Sequence, residues 1–363
     1  MKPQKSRNLL RNNFLHHEIF HRRKIILLNL CFFSKFGRNS LKIAGMKGMI
    51  KLPVLTGFVF FALLVLVAGC GGNVTQKDTD TPTGGRIRMG LDNSYRLLME
   101  AEILTFETIY KYAKIDTLCR SEADIIDAFM KDSIPLMVVN RKLTEEEEKW
   151  LNSEQIIPRT LRIAYDAVAL ILNPANPDSN ILFGQIEGIF RGKVTTWKQI
   201  NPQSRLGDVK VIFDNYKSSN TRYFREKFKI EQLPGTCFAV NNNEEVIRFV
   251  ERNPEAIGII SVNWISDKQD TVSHRFLSKV KVASVNREGT DGPEASFYTP
   301  HPGYVAEGFY PLTREVYMIN RQTYSGLAYG FTSFVAGNQG QLIVLRSGMV
   351  PATMPVRLVE IRK

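Results

Sequence analysis

Beyond residue 85 the chain alternates short apolar runs with longer stretches in which apolar positions recur every three or four residues. The runs 87–91 (IRMGL), 134–140 (IPLMVVN), 167–173 (AVALILN), 209–214 (VKVIFD) and 255–261 (EAIGIIS) have the length and apolar density of strands. Further strands are expected near 279–285 and 315–319. Helical spacing predicts helices over 94–113, 121–132, 181–191, 222–228, 242–254 and 325–337, with Ser94 and Ser121 as N-caps. Thr144 and Glu147 are spaced as a capping box, so the acidic run Glu145 to Glu148 reads as a solvated helix turn with no ligand role. Strands and helices in such alternation specify an α/β protein.

The N-terminal part follows another pattern. Residues 52–69 carry no charge, follow Lys47 and Lys51, and end at Cys70, as the n-region and h-region of a secretory signal do. The sequence Leu66-Val67-Ala68-Gly69-Cys70 resembles the bacterial lipobox, in which small residues fit the signal peptidase and the cysteine receives diacylglycerol. A retained transmembrane anchor is the competing reading, because about 18 apolar residues nearly span a bilayer. The small-small-Cys ending and the polar stretch after it favour cleavage, with Cys70 as the lipid anchor. Residues 46–69 are therefore expected to be a signal peptide, 70–85 a flexible tether, and 1–45 an upstream extension from a misassigned start codon.

Composition, at 44% hydrophobic and 23% charged residues over 363, is that of a soluble globular protein of one large or two ordinary domains. A net charge of +12 would point to a nucleic-acid partner if the folded part carried it. Residues 1–69 hold 12 Lys or Arg and one acid, Glu18, which leaves +1 from Cys70 onward. The basic balance belongs to the leader, and no nucleic-acid partner is expected. His17-Glu18-Ile19-Phe20-His21 matches the HExxH zinc pattern but precedes the signal. Only His274 and His301 remain beyond it, too few for a histidine metal site, so no metal is expected. Cys119 and Cys237 read as separate thiols in different lobes, although export would permit a disulfide.

The segment from Cys70 onward contains no GxSxG elbow, SxxK pair, CxxC or Walker loop, so neither an enzyme nor a cofactor is expected. It offers instead polar clusters at strand-to-helix junctions: Asp92-Asn93-Ser94, Cys119-Arg120-Ser121, Asn140-Arg141, and 214–222 (DNYKSSNTR). A strand feeding a helix through a hydroxyl or amide residue presents free N–H groups and a positive dipole end to one point, which suits an anion. Arg141 or Arg222 would add a charge-assisted contact, worth about 1.5–3 kcal/mol. N-capping alone would explain any one of Ser94, Ser121 and Ser219. The anion reading rests on all of them together.

Across 86–356 the sequence resembles the phosphate-binding proteins of ABC transporters, in their lipoprotein form. The likeness is carried by 163–202, with Phe190, Gly192, Lys193 and Trp197 as an F-x-G-K-x-x-x-W signature, and by 256–261, 309–317 and 331–351. The resemblance implies a two-lobe periplasmic-binding-protein type II fold, each lobe a mixed sheet flanked by helices, with the ligand in the interlobe cleft. Lobe I would be 86–165 plus 270–363 and lobe II 166–269, hinged near Tyr165-Asp166 and again near 266–271. It implies a monomeric lipoprotein facing the periplasm, capturing inorganic phosphate for an ABC permease in the inner membrane. Asp92, Asn93 and Ser94 would form the first anion loop, Ser121 the second, Asn140 and Arg141 a third. Asp214, Ser218, Ser219, Asn220 and Thr221 would form the loop of the second lobe. Asp214 stands where the family carries an arginine, or Asn215 does if a shift of one register puts Ser219-Asn220-Thr221 on the family's loop; Asp92 or Asp214 could accept the proton that distinguishes hydrogen phosphate from sulfate. Two alternatives remain open: the same fold sensing another oxyanion or small acid, and a hydrolase using Ser121 or Ser219 as nucleophile.

Overall fold

The computed structural model describes residues 80–266 and 276–356. Cys70, the signal segment, His274 and the proposed extension lie outside these residues. The chain packs from Asp80 onward: the Asp80 carboxylate accepts the Leu327 N–H at 2.6 Å, and β1 (Gly84–Asp92) opens ahead of Arg86. The stretch 80–85 is thus tied down, and the expected tether is shorter at its C-terminal end.

In chain order β1 leads through a 3-10 turn, Asn93–Tyr95, to α1 (Arg96–Ile109), then β2 (Tyr112–Arg120), α2 (Glu122–Met130), β3 (Leu136–Val139) and α3 (Glu145–Ser153). The long β4 (Arg159–Leu172) crosses to β5 (Asn180–Ile181), α4 (Phe183–Phe190), α5 (Trp197–Ile200), β6 (Lys210–Phe213), α6 (Ser219–Lys227), β7 (Cys237–Ala239), α7 (Asn243–Arg252) and β8 (Ala256–Ser261). After these come β9 (Lys281–Val282), β10 (Ser284–Asn286), β11 (Phe297–Tyr298), α8 (Pro302–Ala306), β12 (Thr313–Asn320), α9 (Leu327–Ala336), α10 (Asn338–Arg346) and β13 (Val350–Pro351).

The sheet runs β2-β1-β3-β12-β4-β8-β6-β7. β4 belongs to both lobes. Its first part, through Ala167, pairs antiparallel with β12, and Val168 to Leu172 pair with β8. The expected hinge at Tyr165-Asp166 therefore falls inside one continuous strand, where both residues still pair with β12, just ahead of the change of partner between Ala167 and Val168. β9 pairs with β4 at Ile171 and Leu172, and β10 with β5, so strand pairing keeps the chain in the second lobe through Asn286, beyond the expected limit of 269. The second expected crossing, 266–271, lies mostly outside the described residues; ahead of β12 the Val168 N–H donates to the Leu312 carbonyl at 2.8 Å.

The signature in α4 and α5 is structural. Phe190 stacks on Phe224 at 4.2 Å, Gly192 takes φ +71° in the turn that ends α4, and the buried Trp197 donates from Nε1 to the Glu255 carbonyl at 2.9 Å. These contacts weld α4, α6 and β8 into one core, and each buried aromatic contributes about 1.5–3 kcal/mol. In the first lobe Phe106 of α1 meets Phe331 of α9 edge-on at 5.3 Å. Cys119 and Cys237 are both free thiols.

Candidate functional site

Parallel strands of both lobes deliver their C-terminal ends to a common seam, where doubly wound sheets place ligands. β1 ends at Asp92, β2 leads to Ser121, β3 to Asn140, β6 to Asp214 and β8 to Asn263. The seam is closed by direct contacts between the lobes. Ser94 Oγ and Ser219 Oγ lie 3.3 Å apart, Asn263 Nδ2 and Trp264 Nε1 donate to the Ser94 carbonyl at 2.6 and 3.0 Å, and the Ala123 N–H points at the Lys217 carbonyl at 3.4 Å.

Asp92, not Ser94, caps the first helical turn. Its Oδ1 accepts the Ser94 N–H at 2.7 Å, and its Oδ2 faces the Ser219 N–H of the other lobe at 3.3 Å. Asp92, Ser94 and Ser219 are fully buried. Burial, followed by the nearby Glu122 charge, raises the Asp92 carboxyl above the usual carboxylate range.

Next to this point lies a pair that sequence reasoning did not place in the site. Arg314 of β12 donates from Nε to Asp166 Oδ2 at 2.9 Å and from Nη1 to Ser219 Oγ at 3.3 Å, and its guanidinium lies over the Tyr95 ring. Its Nη2 is buried without a hydrogen-bond partner. Asp166 also accepts the Ser261 hydroxyl at 2.7 Å. Burial opposes the Arg314 charge, but facing Tyr95, Asp166 and Asp92 raise its pKa overall. Little in the sequence marks the pair, because Glu315 stands beside Arg314 in β12 and Arg159 and Arg162 precede Asp166 in β4; only burial sets Arg314 and Asp166 apart and demands that they meet.

Asp214 accepts Asn220 Nδ2 at 2.9 Å, and burial together with the Asp92 charge pushes its carboxyl up to about 6. Ser218 caps α6 by accepting the Thr221 N–H at 3.3 Å, while the Ser218 and Thr221 hydroxyls donate to the Asn215 carbonyl at 2.8 and 2.7 Å. Ser218 and Thr221 thus spend their hydroxyls shaping the loop, while Asn220 gives Nδ2 to Asp214 and keeps its Oδ1 buried without a partner. Ser121 stands at the N-cap of α2 without capping it, since its hydroxyl donates to Asp124 at 2.6 Å. Asn140 accepts from Arg222, which also forms an ion pair with the buried Glu122 at 2.6 Å across the seam. Arg141 engages its own lobe: both of its terminal nitrogens donate to Glu147 at 2.7 Å in the α3 capping box. A cavity of about 310 Å³ opens beside the seam, lined by Asn93, Cys119, Ser121, Asp214, Asn215 and Asn242 among others. Among the described residues neither candidate nucleophile has a histidine partner: Ser121 meets Asp124, and Ser219 meets Ser94 and Arg314. Among the described residues no cluster of His, Cys, Asp and Glu could hold a metal.

A family model for the PBP superfamily domain matches residues 76–339, most of the chain. The protein belongs to the PBP superfamily. Within it, the phosphate-binding protein PstS of Staphylococcus saprophyticus is 24% identical over 212 residues, which are 58% of this chain and 61% of that relative. The PstS of Staphylococcus epidermidis is 21% identical over 291 residues, 79% of this chain and 85% of the relative. Two solved structures share the two-lobe fold. A Clostridium perfringens protein described as a candidate phosphate ABC transporter substrate-binding protein, with bound phosphate, aligns at TM-score 0.60 and 22% identity over 74% of this chain and 99% of that one. An ABC-type phosphate transport receptor of Vibrio cholerae aligns at TM-score 0.55 and 20% identity over 74% and 100%. The superfamily fold is thereby established for this chain, two lobes with the seam between them.

Proposed function

We propose that the protein captures inorganic phosphate between its lobes and hands it to an ABC permease, acting by binding without chemical turnover. It would work outside the cytoplasm, facing the periplasm as a monomer tethered through a lipid on Cys70. The observation that carries this reading is the meeting of the Asn93–Tyr95 turn and the start of α6 beside Arg314, whose Nη2 is buried without a partner. Such a point replaces phosphate hydration with fixed N–H and hydroxyl donors plus one guanidinium. Relatives named for phosphate binding, and a fold neighbour solved with bound phosphate, favour that anion.

In this reading Ser94 and Ser219 give backbone and hydroxyl donors, and Arg314 gives charge. Asn93 and Ser121 stand at the wall of the adjoining cavity, and Asn140 holds Arg222. Asp214, with its carboxyl at about 6, is ionised at neutral pH and accepts the proton of hydrogen phosphate, which sulfate lacks. Ser218, Asn220 and Thr221 hold the loop that carries Ser219.

Titration calorimetry with phosphate, sulfate, molybdate and a dicarboxylate tests the assignment. Heat with phosphate and none with sulfate is the expected result. No heat with phosphate at micromolar protein sinks it, and heat with only one of the others transfers the site to that ligand.

A further inference from the structure

The place where the lobes meet is already filled by a carboxyl group belonging to the chain. Asp92 is fully buried, and its two carboxylate oxygens divide between the lobes: Oδ1 takes the Ser94 N–H at 2.7 Å, and Oδ2 faces the Ser219 N–H at 3.3 Å. Ser94 Oγ and Ser219 Oγ are in contact at 3.3 Å, which leaves no room between them for a five-atom oxyanion. The adjoining cavity of about 310 Å³ is bounded by Asn93 and Asp214 and reaches neither serine. An independent feature marks the same point as a ligand seat. Arg314 is 7% exposed, touches Ser219 Oγ through Nη1, and keeps Nη2 without a partner. The seat thus holds a cation with spare donor capacity and two backbone donors occupied by a tethered carboxylate.

We propose that Asp92 is the resident occupant of the oxyanion seat, a built-in competitor that holds the lobes together without ligand and that an incoming oxyanion must displace. The proposal rests on the reading of the seam as an oxyanion site, and assigns Asp92 the opposite role from a proton acceptor for bound phosphate. A proton acceptor strengthens phosphate binding and discriminates against sulfate. A competitor weakens both ions alike, because each needs the same two N–H groups. Weakly held anions then fail to open the seam, so Asp92 sets the threshold of affinity rather than the choice between ions.

Asp92→Ser separates the two roles. Serine is a good N-cap and keeps the bond to the Ser94 N–H, but it lacks the charge and the second oxygen that reaches Ser219. Asp92→Asn, which keeps the shape and one acceptor oxygen, is the control for folding. Two readouts are taken on the full-length protein. The first is calorimetric affinity for phosphate and for sulfate. The second is acrylamide quenching of Trp264, which is fully buried and bonded across the seam to the Ser94 carbonyl at 3.0 Å. Trp150, partly exposed, and Trp197, inside the second lobe, supply a constant background.

The expected result is phosphate and sulfate binding both tightened about ten- to hundredfold in Asp92→Ser. Trp264 becomes more accessible without ligand and is protected again by phosphate. Asp92→Asn should fall between parent and Asp92→Ser. Phosphate binding unchanged or weakened in Asp92→Ser, or unaltered ligand-free quenching, overturns the proposal. If neither ion binds either protein while ligand-free Asp92→Ser still exposes Trp264, the phosphate reading falls and the tethered carboxylate stands as the closing contact.

Discussion

Arg314 and Asp166 carry one charge each at a site with almost no solvent: the two side chains are 3% and 0% exposed. Removing the cation alone strands a buried carboxylate, which costs about 3–5 kcal/mol. Arg314→Met should therefore unfold at much lower urea, whereas Arg314→Met with Asp166→Asn should regain most of that loss. The rescued double variant isolates the binding role. Its phosphate affinity should fall by about 1.5–3 kcal/mol, because the charge-assisted donor is gone. Arg141→Ala, whose guanidinium is spent on Glu147, should leave affinity unchanged. Equal affinity in the double variant and the parent would remove Arg314 from the site. The loops at Asp92 to Ser94 and Ser218 to Ser219 were legible in the sequence, since a polar residue between strand and helix has a local meaning. Arg314 was hard to read because it lies 95 residues from Ser219, and only the fold brings the two together.

At the scale of elements, the strands buried on both faces announce themselves as apolar runs, and β3, β6, β8 and the second half of β4 lie where that density placed them, whereas the half-exposed first part of β4, from Arg159, lacks the density and was not expected. β2 was missed. It is an edge strand in which Ala113 and Ile115 are the buried positions, and its polar residues continue the helix-like spacing of the preceding stretch, so 94–113 read as one helix. β8 also accounts for the glycine of the AIGIIS motif. A Cβ on Gly258 would stand 2.7 Å from Ile171 of β4, 2.7 Å from Val250 and 2.9 Å from Val246 of α7. Gly258→Ala must push α7 off the sheet or bend β8, and overpacking of this kind costs about 1–3 kcal/mol. A urea midpoint lowered accordingly, with phosphate affinity retained in the folded protein, is the expected result. An unchanged midpoint would mean that α7 can yield at no cost.

At the scale of the whole molecule, three carboxyls among the described residues are at once buried, without a bonded cation and raised above the usual carboxylate range: Asp92, Asp214 and Glu102. Asp92 and Asp214 sit at the seam. Glu102 is buried on α1 with both oxygens unpartnered, and burial pushes its carboxyl up to about 9. Burial and the Asp92 charge bring Asp214 to about 6, and Asp92 is raised by burial and Glu122. Each group binds its proton more tightly in the folded state than in the unfolded one. Folding stability from them is therefore fully present below their unfolded values, near 4, and declines as pH rises. For Asp214 the decline ends near 6 and amounts to about 3 kcal/mol; for Glu102 it continues to about 9. Carboxyls lowered by surface partners, such as Asp116 beside Arg86 and Asp124 beside Ser121, act in the opposite sense, but they are solvated and contribute little. The urea midpoint should thus fall steadily from pH 5 to pH 8. Asp214→Asn should remove the part of that slope below pH 6, and Glu102→Gln the part that persists above it, each raising the midpoint at pH 8. A parent midpoint that rises over this range would show these carboxyls to be solvated or paired in solution, and the seam to be more open than the contacts at Asp92 and Ser219 make it.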